Sequence, residues 1–173
     1  VTMRVDNNPL SGVEKFITKH DKQNMDHVNR DELPKLLVDL RLYPSRVTSI
    51  GLQLLSMLAC RPTELREAVW SEFNFEKAMW IIPSERMKKR IEHHIPLPTQ
   101  ALKLLDELKQ HSGQSPYLFR SRSDSNKPAS NNTFNKALKS MGYQGKQTPH
   151  GFRHIFSTEL RELSFARDHV EAA

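Results

Sequence analysis

At 173 residues the chain suits one domain with its own core rather than two independent ones. Its hydrophobic share of 37% argues against wholesale disorder, and a single cysteine, Cys60, excludes an internal disulfide framework and a paired-thiolate zinc site. The net charge of +6 is local: residues 85–155 hold 13 Lys and Arg against 5 Asp and Glu, while the remainder holds 13 against 15. That asymmetry favours a polyanionic partner. No apolar run approaches the roughly 20 residues that cross a bilayer, and the start VTMRVDNNPL lacks the apolar stretch of a signal peptide. The expectation is a chain of a reducing cytoplasm with no membrane association.

Residues 1–28 are polar, with few periodic apolar positions and the Asn7-Asn8-Pro9 punctuation of an extended arm, so they read as a linker or N-terminal arm. The domain itself is expected over 29–173. Asn29 followed by Glu32 resembles a helix-start capping pattern, and Leu33, Leu36, Leu37 and Leu40 fall on one helical face. After Pro44 and Ser45, the positions Val47, Ile50, Leu54, Met57 and Leu58 predict a strongly apolar helix running into Arg61. Met79–Ile82 and His94–Leu97 predict two short strands joined by the basic connection ERMKKRIEH. Ala101, Leu104, Leu105 and Leu108 predict a helix stopped by His111-Ser112-Gly113, and Phe134, Ala137, Leu138 and Met141 a helix closed by Gly142. Between these two lie the short apolar insert Tyr117-Leu118-Phe119 and the loop SRSDSNKPASNN. Thr148 and Pro149 read as the N-cap and first residue of a helix containing His150, Phe152, Arg153, Ile155 and Phe156, and FARDHVEAA as a final helical fragment. The predicted fold class is α+β, mainly α: a helical core with one small antiparallel β-sheet.

Three features exceed what such a fold needs. Arg61 follows the most apolar helix, where its guanidinium either pairs with Glu64 or a carbonyl or serves a ligand. The hairpin tip carries Arg86, Lys88, Lys89 and Arg90, a solvated turn or a basic finger for a phosphate. His150 and Arg153 are spaced i, i+3 on one helix face near a helix start, an arrangement suited to an anion or to a backbone-satisfied histidine beside a surface arginine. No HExxH and no set of carboxylates or cysteines supports a metal site, so none is expected.

Taken together, RPTEL with Arg61, the ERMKK hairpin with Lys88, and HGFR with His150 and Arg153, in that order, resemble the tyrosine recombinase or phage integrase family. WSEF, IPSERMKK, HIPLP, NKALKSMGY and TPHGFR are similar to the wording of satellite-prophage and genomic-island integrases, from about residue 29 onward. The resemblance implies a DNA breaking and rejoining enzyme that recombines attachment sites through a 3′-phosphotyrosyl intermediate, without metal or nucleotide cofactor. It implies catalytic roles for Arg61, Lys88 (with Lys89 as the alternative hairpin lysine), His150 and Arg153, and a supporting role for Glu64 on Arg61. Arg86, Lys89, Arg90, Arg120, Arg122 and Lys146 are the expected contacts to the DNA backbone. Implied partners are double-stranded attachment-site DNA and, for the full-length protein, a homotetramer in the bacterial cytoplasm at the nucleoid, the isolated stretch being monomeric.

Two departures from the family pattern stand out. Ala59 stands where the family often has Gly two residues before its first Arg. The later His and the nucleophilic Tyr are expected beyond Ala173, since Tyr43, Tyr117 and Tyr143 all precede His150. The alternative readings are a non-enzymatic DNA-binding module on the same fold and, with no acidic cluster to hold magnesium, a less well supported metal-dependent nuclease.

Overall fold

The computed structural model describes residues 25–87 and 89–164. Among them are six α-helices and one three-stranded antiparallel sheet in the order β1-β2-β3. Chain order is α1 (Leu33–Leu42), α2 (Arg46–Leu58), α3 (Pro62–Arg66), β1 (Phe73–Asn74), β2 (Met79–Ile82), β3 (His93–Pro96), α4 (Thr99–Ser112), α5 (Thr133–Ser140) and α6 (Gly151–Glu162). The mainly helical α+β class with one small sheet is therefore as the sequence predicts. The final fragment FARDHVEAA and Lys88 lie outside the described residues.

The central helix is α2, and it is more than an amphipathic stripe. Ile50, Leu52, Leu54 and Leu55 are all fully buried, as is Ser49, and Gln53 is buried too, because α1, α4, α5 and α6 surround it. A helix covered on all sides must satisfy its polar side chains internally. Ser49 does so by donating to the Leu40 carbonyl at 2.7 Å, and Gln53 by donating to Ser49 Oγ at 3.0 Å. Gly51 lets α5 approach, since a Cβ there would stand 2.4 Å from Phe134 Cε1. Phe134 in turn meets Phe119 edge to face, so the short insert after α4 is core.

Strands β2 and β3 pair Trp80 with Ile95 and Ile82 with His93, which turns Trp80, Ile82 and Ile95 onto the core. The predicted hairpin is present. The additional strand β1 is two residues long, too short to leave a periodic signal, and is held by Phe73 stacking on Trp80 at 5.2 Å. Helix starts follow local chemistry. Asn29 Oδ1 accepts from the Glu32 amide at 3.0 Å in the turn that leads into α1, although the N-cap of regular α1 is Glu32 rather than Asn29. Thr148 Oγ1 accepts from the Gly151 amide at 3.1 Å, the bond expected of a cap, although regular α6 begins only at Gly151 and His150 occupies the N-cap.

Val28 is 3% exposed and belongs to the core. Residues 25–28 lie against the start of α6: Asp26 O accepts from the Thr148 amide at 3.0 Å, and the Val28 amide donates to buried Gln147 at 2.9 Å. Among the described residues no helix is long and apolar enough to cross a membrane.

Candidate active site

The corner between α2 and α3 is built around Ala59. Helix α2 ends at Leu58, Ala59 turns left-handed with φ 50°, Cys60 is buried, and Arg61 becomes the N-cap of α3 with Pro62 in its first turn. The sequence places Arg61 at the end of the apolar helix; the αL turn instead puts it at the head of the next one. Glu64, only 7% exposed, accepts from the Arg61 amide at 2.8 Å and pairs with Arg61 Nη1. One carboxylate thus caps the helix and pairs with the guanidinium. The Arg61 side chain remains 41% exposed and within reach of a ligand.

Arg153 enters the same corner from α6, 94 positions later, donating from Nη1 to the Ala59 carbonyl at 2.7 Å. The first and last cationic residues of the predicted set are thereby joined through one turn of backbone. Burial, with Glu64 adding to it and Arg153 opposing, pushes the thiol of Cys60 far up, which favours its protonated form. His150, exposed at the head of α6, lines a cleft of about 240 Å³ with Thr63, Arg66, Asn131, Asn135 and Thr148. The cleft therefore runs from α3, which Arg61 caps, to the start of α6.

The remaining basic residues divide into two groups. Lys89, Arg90, Arg120, Arg122 and Lys146 are exposed. Arg120 and Arg122 line a second groove, about 730 Å³, on the other side of Phe134 and close to Lys136. Arg86 differs, because its guanidinium turns inward, pairing through Nη1 with Glu72 and donating from Nη2 to the Glu64 carbonyl at 2.7 Å. Lys88 lies outside the described residues. Glu72 was not singled out by its spacing, yet it is 8% exposed and also accepts from Trp80 Nε1 at 2.9 Å. Its only sequence signal is a carboxylate inside the aromatic run Trp70–Phe75. Tyr143 is buried with its hydroxyl on Asp39 at 2.6 Å, and Tyr43 packs against the core, so both are structural. No group of three or more His, Cys, Asp or Glu among the described residues could hold a metal ion.

The description "Phage integrase family" matches residues 25–173. The chain belongs to this family. Curated members similar to this integrase domain include the prophage integrase IntA of Escherichia coli, 36% identical over 98% of this chain, and the integrase of Enterobacteria phage P4, 37% identical over 95% of it. The chain spans 41% of the length of each of these two relatives. Among solved structures, the integrase of the transposon Tn1549, in complex with transposon right end DNA, superposes with a TM-score of 0.73 at 13% identity, covering 97% of this chain and 63% of that one. A XerA recombinase superposes with a TM-score of 0.69 at 16% identity, covering 90% and 56% respectively. At such identities these two likenesses speak for the fold of the integrase domain.

Proposed function

We propose that the protein to which this stretch belongs is a tyrosine-type site-specific recombinase that integrates or excises a mobile element at double-stranded attachment sites. The observation that supports the reading is the 2.7 Å bond from Arg153 to Ala59 O, which ties α6, with His150 at its N-cap, to the turn two residues before Arg61. Two planar forks suit the non-bridging oxygens of one phosphate, where negative charge grows as phosphorus becomes five-coordinate.

In the proposed reaction a tyrosine oxygen, from none of the three tyrosines in this chain, attacks a backbone phosphorus. The new bond is a 3′-phosphotyrosyl ester and the bond to the 5′-oxygen breaks. Arg61 and Arg153 neutralise the phosphorane, and Glu64 holds Arg61 in line. His150 hydrogen-bonds the phosphate or takes part in moving the tyrosine's proton. Lys88 on the hairpin gives a proton to the departing 5′-oxygen. Religation reverses these steps, so no metal or nucleotide is consumed. Lys89, Arg90, Arg120, Arg122 and Lys146 meet backbone phosphates and set register on the duplex. The full-length protein acts as a homotetramer on paired sites in the bacterial cytoplasm.

The test is Arg61→Ala and Arg153→Ala in the complete protein on a nicked substrate that traps the covalent adduct. Each variant is expected to lose on the order of 10²–10³ in cleavage rate while keeping most DNA affinity. Adduct formation at the wild-type rate by either variant overturns the assignment.

A further inference from the structure

Arg86 sits two positions before Lys88, where the sequence alone suggests a basic finger reaching outward. Its side chain is instead only 21% exposed, against a Glu72 carboxylate that is 5% exposed. The two arms of its fork go to different elements. Nη1 takes Glu72, whose second oxygen accepts from Trp80 Nε1 on β2 at 2.9 Å, and Nη2 takes the backbone oxygen of Glu64 on α3 at 2.7 Å. Glu64 is also the carboxylate that pairs with Arg61. An unbroken chain of contacts therefore runs from Trp80 through Glu72, Arg86 and Glu64 to Arg61. Burying an arginine and a glutamate together is costly unless they are paired, and a fork with both terminal nitrogens bonded is rigid. No surface requirement of the hairpin explains that investment.

We propose that Arg86 is a positioning residue that locks the root of the β2–β3 loop, whose sequence carries Lys88, to the α3 helix headed by Arg61. The inference rests on the recombinase reading above and adds a residue to it. Arg86 touches no reacting atom. Its effect passes through the loop to the proton donor, so losing it impairs departure of the 5′-oxygen and leaves charge stabilisation by Arg61 and Arg153 in place. A lysine at this position cannot reproduce a fork that spans two acceptors.

The experiment compares Arg86→Ala, Glu72→Gln and Lys88→Ala in the complete recombinase on two trapping substrates. One carries the ordinary 5′-bridging oxygen at the scissile phosphate and the other a 5′-bridging sulfur, whose thiolate leaves without a proton. Arg86→Ala is expected to slow cleavage of the oxygen substrate by about 10- to 100-fold, a part of what a positioned proton donor contributes, and to cleave the sulfur substrate within a few-fold of wild type. Glu72→Gln, which keeps the shape of the side chain and an acceptor for Trp80, shows the same pattern to a smaller degree and covers the case in which Arg86→Ala does not fold. Equal losses on both substrates, or no loss on the oxygen substrate, overturn the positioning role. Lys88→Ala separates the two levels of the argument. If sulfur rescues it but not the Arg86 and Glu72 variants, only the present inference fails; if sulfur does not rescue Lys88→Ala, the assignment of the proton donor fails first and the positioning role with it.

Discussion

Arg153 and Ala59 are joined by a 2.7 Å bond from Nη1 to a carbonyl that belongs to a residue in the left-handed region, φ 50°. An L-residue with a Cβ pays about 1–2 kcal/mol to sit there, whereas glycine does not. This is the position at which the resemblance to the family leads one to expect glycine, and the turn explains why: α2 must stop abruptly for Arg61 to begin α3 while the carbonyl faces α6. Ala59→Gly is therefore expected to stabilise the domain by about 1 kcal/mol, after allowing for the greater freedom of glycine in the unfolded chain, and to raise the melting temperature by about 3 °C. Ala59→Val is expected to lower it. Thermal denaturation of the three proteins side by side decides the point.

Glu64 has separable duties, as helix cap and as partner of the Arg61 guanidinium. Glu64→Gln keeps an oxygen for the Arg61 amide but loses the charge, so stability should stay within a fraction of a kcal/mol of wild type while cleavage by the complete protein falls several-fold. Glu64→Ala removes both and should also cost about 1–2 kcal/mol in denaturant unfolding. Equal cleavage by the Gln variant and wild type would show that aiming Arg61 needs no charge at this position.

Gly151 marks the closest approach between residues 25–28 and the head of α6. A Cβ there would lie 2.5 Å from the Asp26 carbonyl oxygen and 2.8 Å from Gln147 Nε2. Because the nearest atom is backbone, Gly151→Ala is expected to cost about 1–3 kcal/mol and to loosen the segment that Thr148 and Gln147 hold. Limited proteolysis should then cut near Asp26 faster than in wild type. Unchanged cutting rates would mean that the segment is held by Val28 alone.

His154 supplies a pH dependence. Its imidazole is held below the ordinary histidine range first by burial and then by the charges of His27, whose ring lies 4.3 Å away, and Arg161. A histidine with a lowered folded-state pKa gives the unfolded chain more bound protons between the two pKa values, so its contribution is fully present above the unfolded value of about 6.5 and is lost as pH falls below it. Asp39 and Glu107, held low by Lys35 and Arg46 respectively, lose their contributions only in the more acidic carboxylate range. The melting temperature is accordingly expected to fall between pH 7 and pH 5.5, and His154→Gln should flatten that portion of the curve. An unaltered slope in the variant would assign the effect elsewhere.

The longer helices, the hairpin and the family were legible because each rests on local information: apolar periodicity along one element, a turn residue at its end, and motifs read in sequence order. Helix α3 and strand β1 were not, since five and two residues are too short for any period to repeat. Nor was the inward course of Arg86, because a charged side chain in a basic turn looks the same in sequence whether it faces water or a buried carboxylate. What decides its course is Glu72, 14 positions away, and the Glu64 carbonyl, 22 positions away. The same holds for the bond between Arg153 and Ala59 across 94 positions and for that between Val28 and Gln147 across 119. The amino-acid sequence by itself determined which residues carry charge and, for most of them, on which element each lies, Arg61 at the head of the unforeseen α3 being the exception. Only the tertiary structure decided which of those charges share a corner and which are spent holding the corner together, because that depends on which distant carbonyls and carboxylates packing brings within hydrogen-bond reach.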